Sequence, residues 1–160
     1  METFLFLIIM NNKLFALEEI LMIGILVATH GKFAEGILSA AKMIVGQQSQ
    51  VSFVEFAETD SIDGFKDRVY QSLKSFGKGA KVLAFCDMFG ASPYNVLVQN
   101  YPQLNKDIEY QVFCGVNLPI LIEALLSRNQ YQSLDDFTKH LQQMAAETIK
   151  IQNFDFYKKG

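Results

Sequence analysis

The sequence predicts an α/β fold: a doubly wound, mainly parallel sheet of four strands plus a short C-terminal strand, with helices on both faces. Three observations predict it. Short apolar runs of strand length alternate with longer stretches whose apolar residues recur every three or four positions. The runs are apolar at consecutive positions, the pattern of strands covered on both faces. At 160 residues, 50% of them hydrophobic and 14 of them Phe, the chain can bury one good core but not two. Strands alternating with helices, joined by right-handed crossovers, give a parallel sheet between two helical layers.

The elements follow in order. Met22-Ile23-Gly24-Ile25-Leu26-Val27 reads as the first strand, and Ala28-Thr29-His30-Gly31 closes it. Phe33 to Val45 turns helical, with Ala34, Ile37, Leu38, Ala41 and Ile44 on one face. Gly46 and the turn Gln47-Gln48-Ser49 lead into a second strand, Val51 to Phe56. Asp60 and Ser61 are N-cap residues for a helix whose apolar face is Ile62, Phe65, Val69, Leu73 and Phe76, stopped by Gly77-Lys78-Gly79. Lys81 to Cys86 is the third strand.

After it, Ser92 is expected to cap a short helix from about Pro93 to Gln99 that stops before Tyr101-Pro102. Pro93 suits the first helical position, because its φ is preset and its missing N–H orphans nothing. Glu109 to Cys114 is the fourth strand, and Asn117 caps the apolar helix 119–127. A last amphipathic helix begins at Ser133, with Leu134, Phe137, Leu141, Met144 and Thr148 on one face. Ile149 to Phe156 is the expected short strand.

Residues 22–157 are read as a single domain and residues 1–21 as an extension outside it. Phe4 to Met10 is apolar but far short of the roughly 20 residues that span a bilayer. It also lacks the basic start and small-residue cleavage site of a signal peptide. Met22 is expected to be the true start, with Leu17-Glu18-Glu19 encoded by a purine-rich ribosome-binding site. A net charge of −3 with no basic run argues against nucleic acid as a partner. Cys86 and Cys114 fit neither zinc-site nor disulfide spacing and read as small buried hydrophobes in a reducing cytoplasm. No metal or cofactor is expected.

Three turns fall at the carboxyl ends of strands: around His30, across Asp87–Ser92, and at Gly115–Asn117. In doubly wound sheets that edge is where ligands collect. His30, one of two histidines, ends a strand and precedes a flexible glycine, whereas His140 lies in the polar helical stretch 138–142 and reads as a solvated helix residue. Asp87 ends the third strand as His30 ends the first. A carboxylate on one ring nitrogen fixes the tautomer and leaves the other nitrogen free as a nucleophile. The helix opening at Ser92-Pro93 points N–H groups at the same place, and helix N-termini attract phosphate-like anions. Together these make a phosphohistidine site chemically reasonable. The plainer readings, Asp87 capping its turn and Gly90 to Pro93 as turn chemistry alone, stand beside it. Walker A, GxGxxG and GxSxG motifs are all missing, which excludes the corresponding nucleotide, dinucleotide and serine-hydrolase readings.

Thr29-His30-Gly31 with Ala34 and Gly36, Asp87-Met88-Phe89-Gly90-Ala91-Ser92-Pro93-Tyr94-Asn95, and Gly115-Val116-Asn117-Leu118-Pro119 resemble the enzyme IIA domains of the mannose family of the bacterial phosphoenolpyruvate-dependent sugar phosphotransferase system. The resemblance runs from Met22 to about Phe154. It implies that His30 is phosphorylated by the histidine-containing phosphocarrier protein and passes the group to a IIB subunit or domain. Membrane IIC and IID proteins are then reached only indirectly. It further implies Asp87 as the acid that orients His30, and Thr29, Gly31, Gly90, Ala91 and Ser92 as a phosphoryl cradle. A cytoplasmic homodimer that exchanges its C-terminal strand is implied too. Ala91 stands where the family loop commonly has a second glycine, a change that matters if the position needs φ > 0. Met88, Phe89 and Phe33 are candidate partner-docking residues. Two alternatives remain: a IIA-like subunit of a phosphotransferase-dependent dihydroxyacetone kinase, and a regulatory domain of the same fold. The sugar itself is not legible, since a phosphohistidine carrier need not touch it.

Overall fold

Four of the strands and five of the helices expected from the sequence form around runs that leave them little choice. A computed structural model describes residues 22–154. The expected N-terminal extension, and the last residues of the expected domain, lie outside the described residues. β1 (Gly24–His30), β2 (Val51–Phe56), β3 (Lys81–Cys86) and β4 (Glu109–Cys114) pair in parallel in the order β2-β1-β3-β4. α1 (Phe33–Val45), α4 (Leu118–Ser127) and α5 (Leu134–Ala145) cover one face of the sheet, and α2 (Ile62–Lys74) and α3 (Ser92–Leu104) cover the other. The core therefore has two halves divided by the strand period of two. Ile25, Val27, Leu83 and Phe85 point toward α1, α4 and α5, whereas Leu26, Ala28, Val82 and Ala84 point toward α2 and α3.

The order places β1 and β3 side by side at the centre, while the chain leaves β1 toward one edge and β3 toward the other. That is the topological switch point, where the crevice of a doubly wound sheet opens.

Helix starts follow local chemistry. Ser61, Asn117 and Ser133 accept hydrogen bonds from Gly64 N, Ile120 N and Asp136 N, and so cap α2, α4 and α5. Asp60 does not share the cap. It accepts from Ala57 N at 2.7 Å and from Arg68 Nη2 at 2.6 Å, holding the turn before α2. Phe76 lies beyond the end of α2 rather than on its face, and its ring fills the space over Gly24.

Two sequence expectations about α3 are corrected. α3 begins after Ala91, so Ser92 is its first residue and not its cap, and no side chain caps it. The same helix runs on through Tyr101-Pro102 to Leu104. Pro102 sits so near its end that only the bond to the Val98 carbonyl is forfeited. Buried Leu104, and buried Asn100 donating to the Lys66 carbonyl at 3.1 Å, hold the last turn in place. The expected strand from Ile149 to Phe156 is not confirmed: residues 149–154 form none within the single chain, and 155 and 156 lie outside the described residues. A strand needs a ladder partner, and within one chain this segment pairs with none of the four strands. Ile149 and Ile151 are left exposed.

One structural residue gave no sequence signal. Arg128, just past α4, is buried and donates to the carbonyls of Ile23, Ser49 and Gln50 at 3.3, 2.7 and 3.2 Å. It ties together the amino-terminal end of β1 and the turn before β2. Burial lowers its pKa to about 10.

Candidate functional site

The site grows from the parity of β1. Thr29 and His30 are consecutive, so their side chains leave opposite faces of the sheet. Thr29 is fully buried toward α1, where its hydroxyl accepts from Ala34 N at 2.9 Å and serves the first turn of that helix. The Glu55 carboxylate accepts from Glu35 N in the same turn. His30 emerges on the α2/α3 side at the end of the strand. Gly31 then takes φ +51, a left-handed turn that glycine adopts without strain, and donates its N–H to the Phe56 carbonyl at 2.9 Å.

Asp87, one residue beyond β3, reaches across the switch point. Its Oδ2 lies 2.8 Å from His30 Nδ1 and 3.0 Å from His30 N, and its Oδ1 accepts from Met88 N at 3.0 Å. Two backbone N–H donors already on this carboxyl group suit its ionised form, which can only accept. The ring proton therefore belongs on Nδ1, and the lone pair on Nε2. The His30 side chain is 41% exposed.

A second aromatic ring, not anticipated from the sequence, stands beside the imidazole. Phe56 ends β2 as the register partner of His30, and the two rings meet edge to face with centroids 6.1 Å apart. Phe56 in turn packs on fully buried Phe65 at 4.9 Å. Only the register reveals it: as partners in adjacent parallel strands, His30 and Phe56 project their side chains from the same face of the sheet.

The loop from Asp87 to Ala91 carries the chain to α3. Gly90 adopts φ +78, and Asn95 Nδ2 donates to its carbonyl at 2.9 Å, so the loop is pinned to the helix it introduces. Ala91 has φ −84, ordinary backbone, so alanine fits this position without strain. The other four described α-helices have side-chain acceptors at their first turns, from Thr29 and Glu55 at α1 and from their own caps at α2, α4 and α5. At α3 the backbone donors of the first turn and the Ser92 hydroxyl have no such acceptor among the described residues. An arriving anion would find them open. The third turn is stitched to the same edge, since Gly115 N and Val116 N both donate to the Cys86 carbonyl.

The structure thus brings His30, Gly31 and Asp87 together at the carboxyl edge of β1 and β3, with Gly90, Ala91 and Ser92 following Asp87 along the same loop, and turns the Thr29 side chain away to the α1 side. In the loops at this edge Met88, Phe89 and Phe33 are 59%, 73% and 45% exposed, with Phe89 resting on Tyr94 at 4.6 Å. Such residues are more often tucked into the core. No cluster of three metal-ligating side chains occurs among the described residues.

His140 is not the freely solvated residue expected. Its Nε2 lies 2.7 Å from Glu123 Oε1, and its ring stacks on Tyr131 at 5.5 Å, because α5 packs against α4 there. Cys86 and Cys114 are register partners on β3 and β4, both free. Burial, and then the adjacent Cys114 thiol, push the Cys86 thiol well above its ordinary range.

Comparison with known proteins adds the family. Residues 24–142 match the family EIIA-man, described as the PTS system fructose IIA component. The chain is 28% identical over 130 residues to the PTS system fructose-specific EIIA component of Bacillus subtilis, covering 81% of this chain and 86% of that protein. It is 29% identical over 128 residues to the mannose-specific EIIAB component of Escherichia coli K12, covering 80% of this chain and 39% of that longer protein. Among solved structures, the phosphotransferase system component EIIA from Streptococcus agalactiae superposes with a TM-score of 0.74 at 29% identity, covering 81% of this chain and 97% of that one.

Proposed function

The chain belongs to the EIIA-man family of phosphotransferase-system IIA components, and on that footing we propose that it is a phosphoryl carrier whose phosphorylated atom is Nε2 of His30. The observation that carries the reading is the contact between His30 Nδ1 and Asp87. The Nε2 lone pair attacks phosphorus on the histidine-containing phosphocarrier protein. A P–N bond forms to His30, the P–N bond to the carrier's own histidine breaks, and that electron pair stays with the carrier. Positive charge gathered by the His30 ring is met by Asp87 on the opposite nitrogen. The first turn of α3, with Ser92 and the Gly90–Ala91 backbone, receives the phosphoryl oxygens. The second transfer reverses these steps toward a IIB subunit or domain, and the membrane IIC and IID proteins are served only through it.

The relatives' names divide between fructose and mannose, in keeping with a carrier that never handles the sugar, and they favour the sugar branch over a dihydroxyacetone kinase subunit. The protein acts in the cytoplasm; among the described residues no helix is long and apolar enough to cross a membrane. The working form is a homodimer. A groove of about 520 Å³ runs beside the outer edge of β4, lined by Gln111, Phe113, Asn117, Thr138 and Ile149. The exposed apolar segment that begins at Ile149 supplies, from a second copy, the strand that this edge lacks. Incubation with phosphorylated phosphocarrier, followed by mass spectrometry of the peptides under mildly basic conditions, tests the carrier reading. The phosphoryl group is expected on His30, and its recovery on any other residue overturns the reading.

A further inference from the structure

We propose that Phe56 is a positioning residue for His30, holding the imidazole from the side that Asp87 does not reach. The proposal rests on the phosphoryl-carrier reading for its consequence, and on geometry alone for the contact. One hydrogen bond at Nδ1 and the covalent tether at Cβ still let the ring pivot through small changes in its two side-chain torsions, and the bond from His30 N restrains only the backbone. Something else has to stop the pivot. On the β2 side that is the Phe56 ring, edge to face with the imidazole at 6.1 Å and 61°, the arrangement that ring quadrupoles favour.

Phe56 is itself restrained at both ends. Its carbonyl accepts the Gly31 N–H that follows β1, and its ring is backed by Phe65, a fully buried residue of α2. The imidazole is therefore clasped between a carboxylate fixed to the end of β3 and a phenyl ring fixed to the end of β2. Both neighbours of β1 contribute. Reactive geometry is steeply orientation-dependent, so loosening one side of the clasp should cost rate without removing any group that touches phosphorus.

The test uses three variants of the full chain. Phe56→Leu keeps apolar volume over Phe65 and hence the fold, Phe56→Tyr keeps the ring, and Phe56→Ala removes both. Two readouts are taken: single-turnover transfer from phosphorylated phosphocarrier, and the ¹⁵N signals of the His30 imidazole without any phosphoryl donor. Phosphoryl transfer to Phe56→Ala and Phe56→Leu is expected to slow by on the order of tenfold to a hundredfold. Their ring signals should show a second tautomer or a second orientation, while Phe56→Tyr stays near wild type in both readouts. Unchanged imidazole signals in folded Phe56→Leu overturn the proposal, whatever the rates do. So does wild-type transfer in that variant. Failure of the wild-type chain to accept phosphate on His30 sinks the carrier reading instead, and the imidazole spectra still decide the role of Phe56.

Discussion

Asp87 meets His30 through a single oxygen: Oδ2 takes both the ring Nδ1, at 2.8 Å, and the backbone N–H, at 3.0 Å. One atom thereby joins the orientation of the ring to the position of the strand that carries it. The other oxygen accepts from Met88 N at 3.0 Å, so the carboxylate is itself held by its own loop.

Loss of the ring and loss of the second histidine should separate cleanly. His30→Ala is expected to abolish phosphorylation by the phosphocarrier. His140→Ala should retain it and show only a modest drop in thermal midpoint, because it breaks the 2.7 Å contact with Glu123 between α5 and α4. Radiolabel transfer and a melting curve on each variant are sufficient. A dead His140 variant would move the site to the other side of the molecule.

Asp87→Asn keeps the size of the side chain and removes its charge. Transfer is expected to slow by on the order of tenfold to a thousandfold, the range of acid–base assistance, with the fold intact. The amide can still offer one oxygen to the ring, so orientation suffers less than electrostatics. Rapid-quench measurement decides. A wild-type rate would reduce Asp87 to a residue that caps its own turn.

Met88→Asp places a charge on an exposed apolar side chain that makes no core contact with either half of the sheet. Affinity for the phosphocarrier should fall while the melting temperature stays put. Unchanged affinity, read by calorimetric titration, would mean that the apolar rim of the crevice docks nothing.

Arg128→Met keeps much of the volume and withdraws the donors from the Ile23 and Ser49 carbonyls. Bonds from charged donors to buried acceptors, once lost, cost about 2–4 kcal/mol together. The Gln50 carbonyl is spared most of this because it also accepts from Ile25 N at 2.9 Å. Urea unfolding followed by circular dichroism gives the number, and an unshifted midpoint refutes the role.

Asp60 carries the clearest acid-side signature. The Ala57 N–H first, and then Arg68, hold its carboxyl below the ordinary range. A carboxyl depressed on folding contributes stability above its unfolded pKa and loses it as pH falls through the folded value. Arg68→Gln should therefore raise the Asp60 titration only part of the way, since the larger cause is the backbone N–H. Carbon-13 carboxyl shifts followed against pH measure it. Full return to the ordinary range in that variant would assign the effect to the arginine alone.

How much of this was legible in the sequence depended on whether the responsible pattern was local. β2, β3 and β4 match their expected bounds because each is a short run closed by turn residues. Ser61, Asn117 and Ser133 were readable as caps for the same reason: the accepting side-chain oxygen and the backbone N–H that donates to it are three residues apart. The far end of α3 was misread because Tyr101-Pro102 looks like a stop, whereas burial of Asn100 and Leu104 against α2 and the sheet overrides the local signal. Arg128 was invisible since its partners are backbone carbonyls, which leave no trace in side-chain identity. Within the site, His30 and Asp87 were readable from their equivalent strand ends. Phe56 and the engaged hydroxyl of Thr29 were missed because each needs the register between strands, or the facing of one side chain, to be known first.

The opposed facing of Thr29 and His30 also constrains how the chain can change over time. Adding or deleting one residue inside β1 would invert every side chain beyond that point, sending the imidazole into the oily layer under α1 and the threonine out to water. Such a change cannot be softened by repacking, because both halves of the core would be mispatterned at once. Changes of length are better borne in an exposed loop such as Gly77 to Gly79 at the opposite end of the sheet, whereas this parity fixes the count of residues from Gly24 to His30.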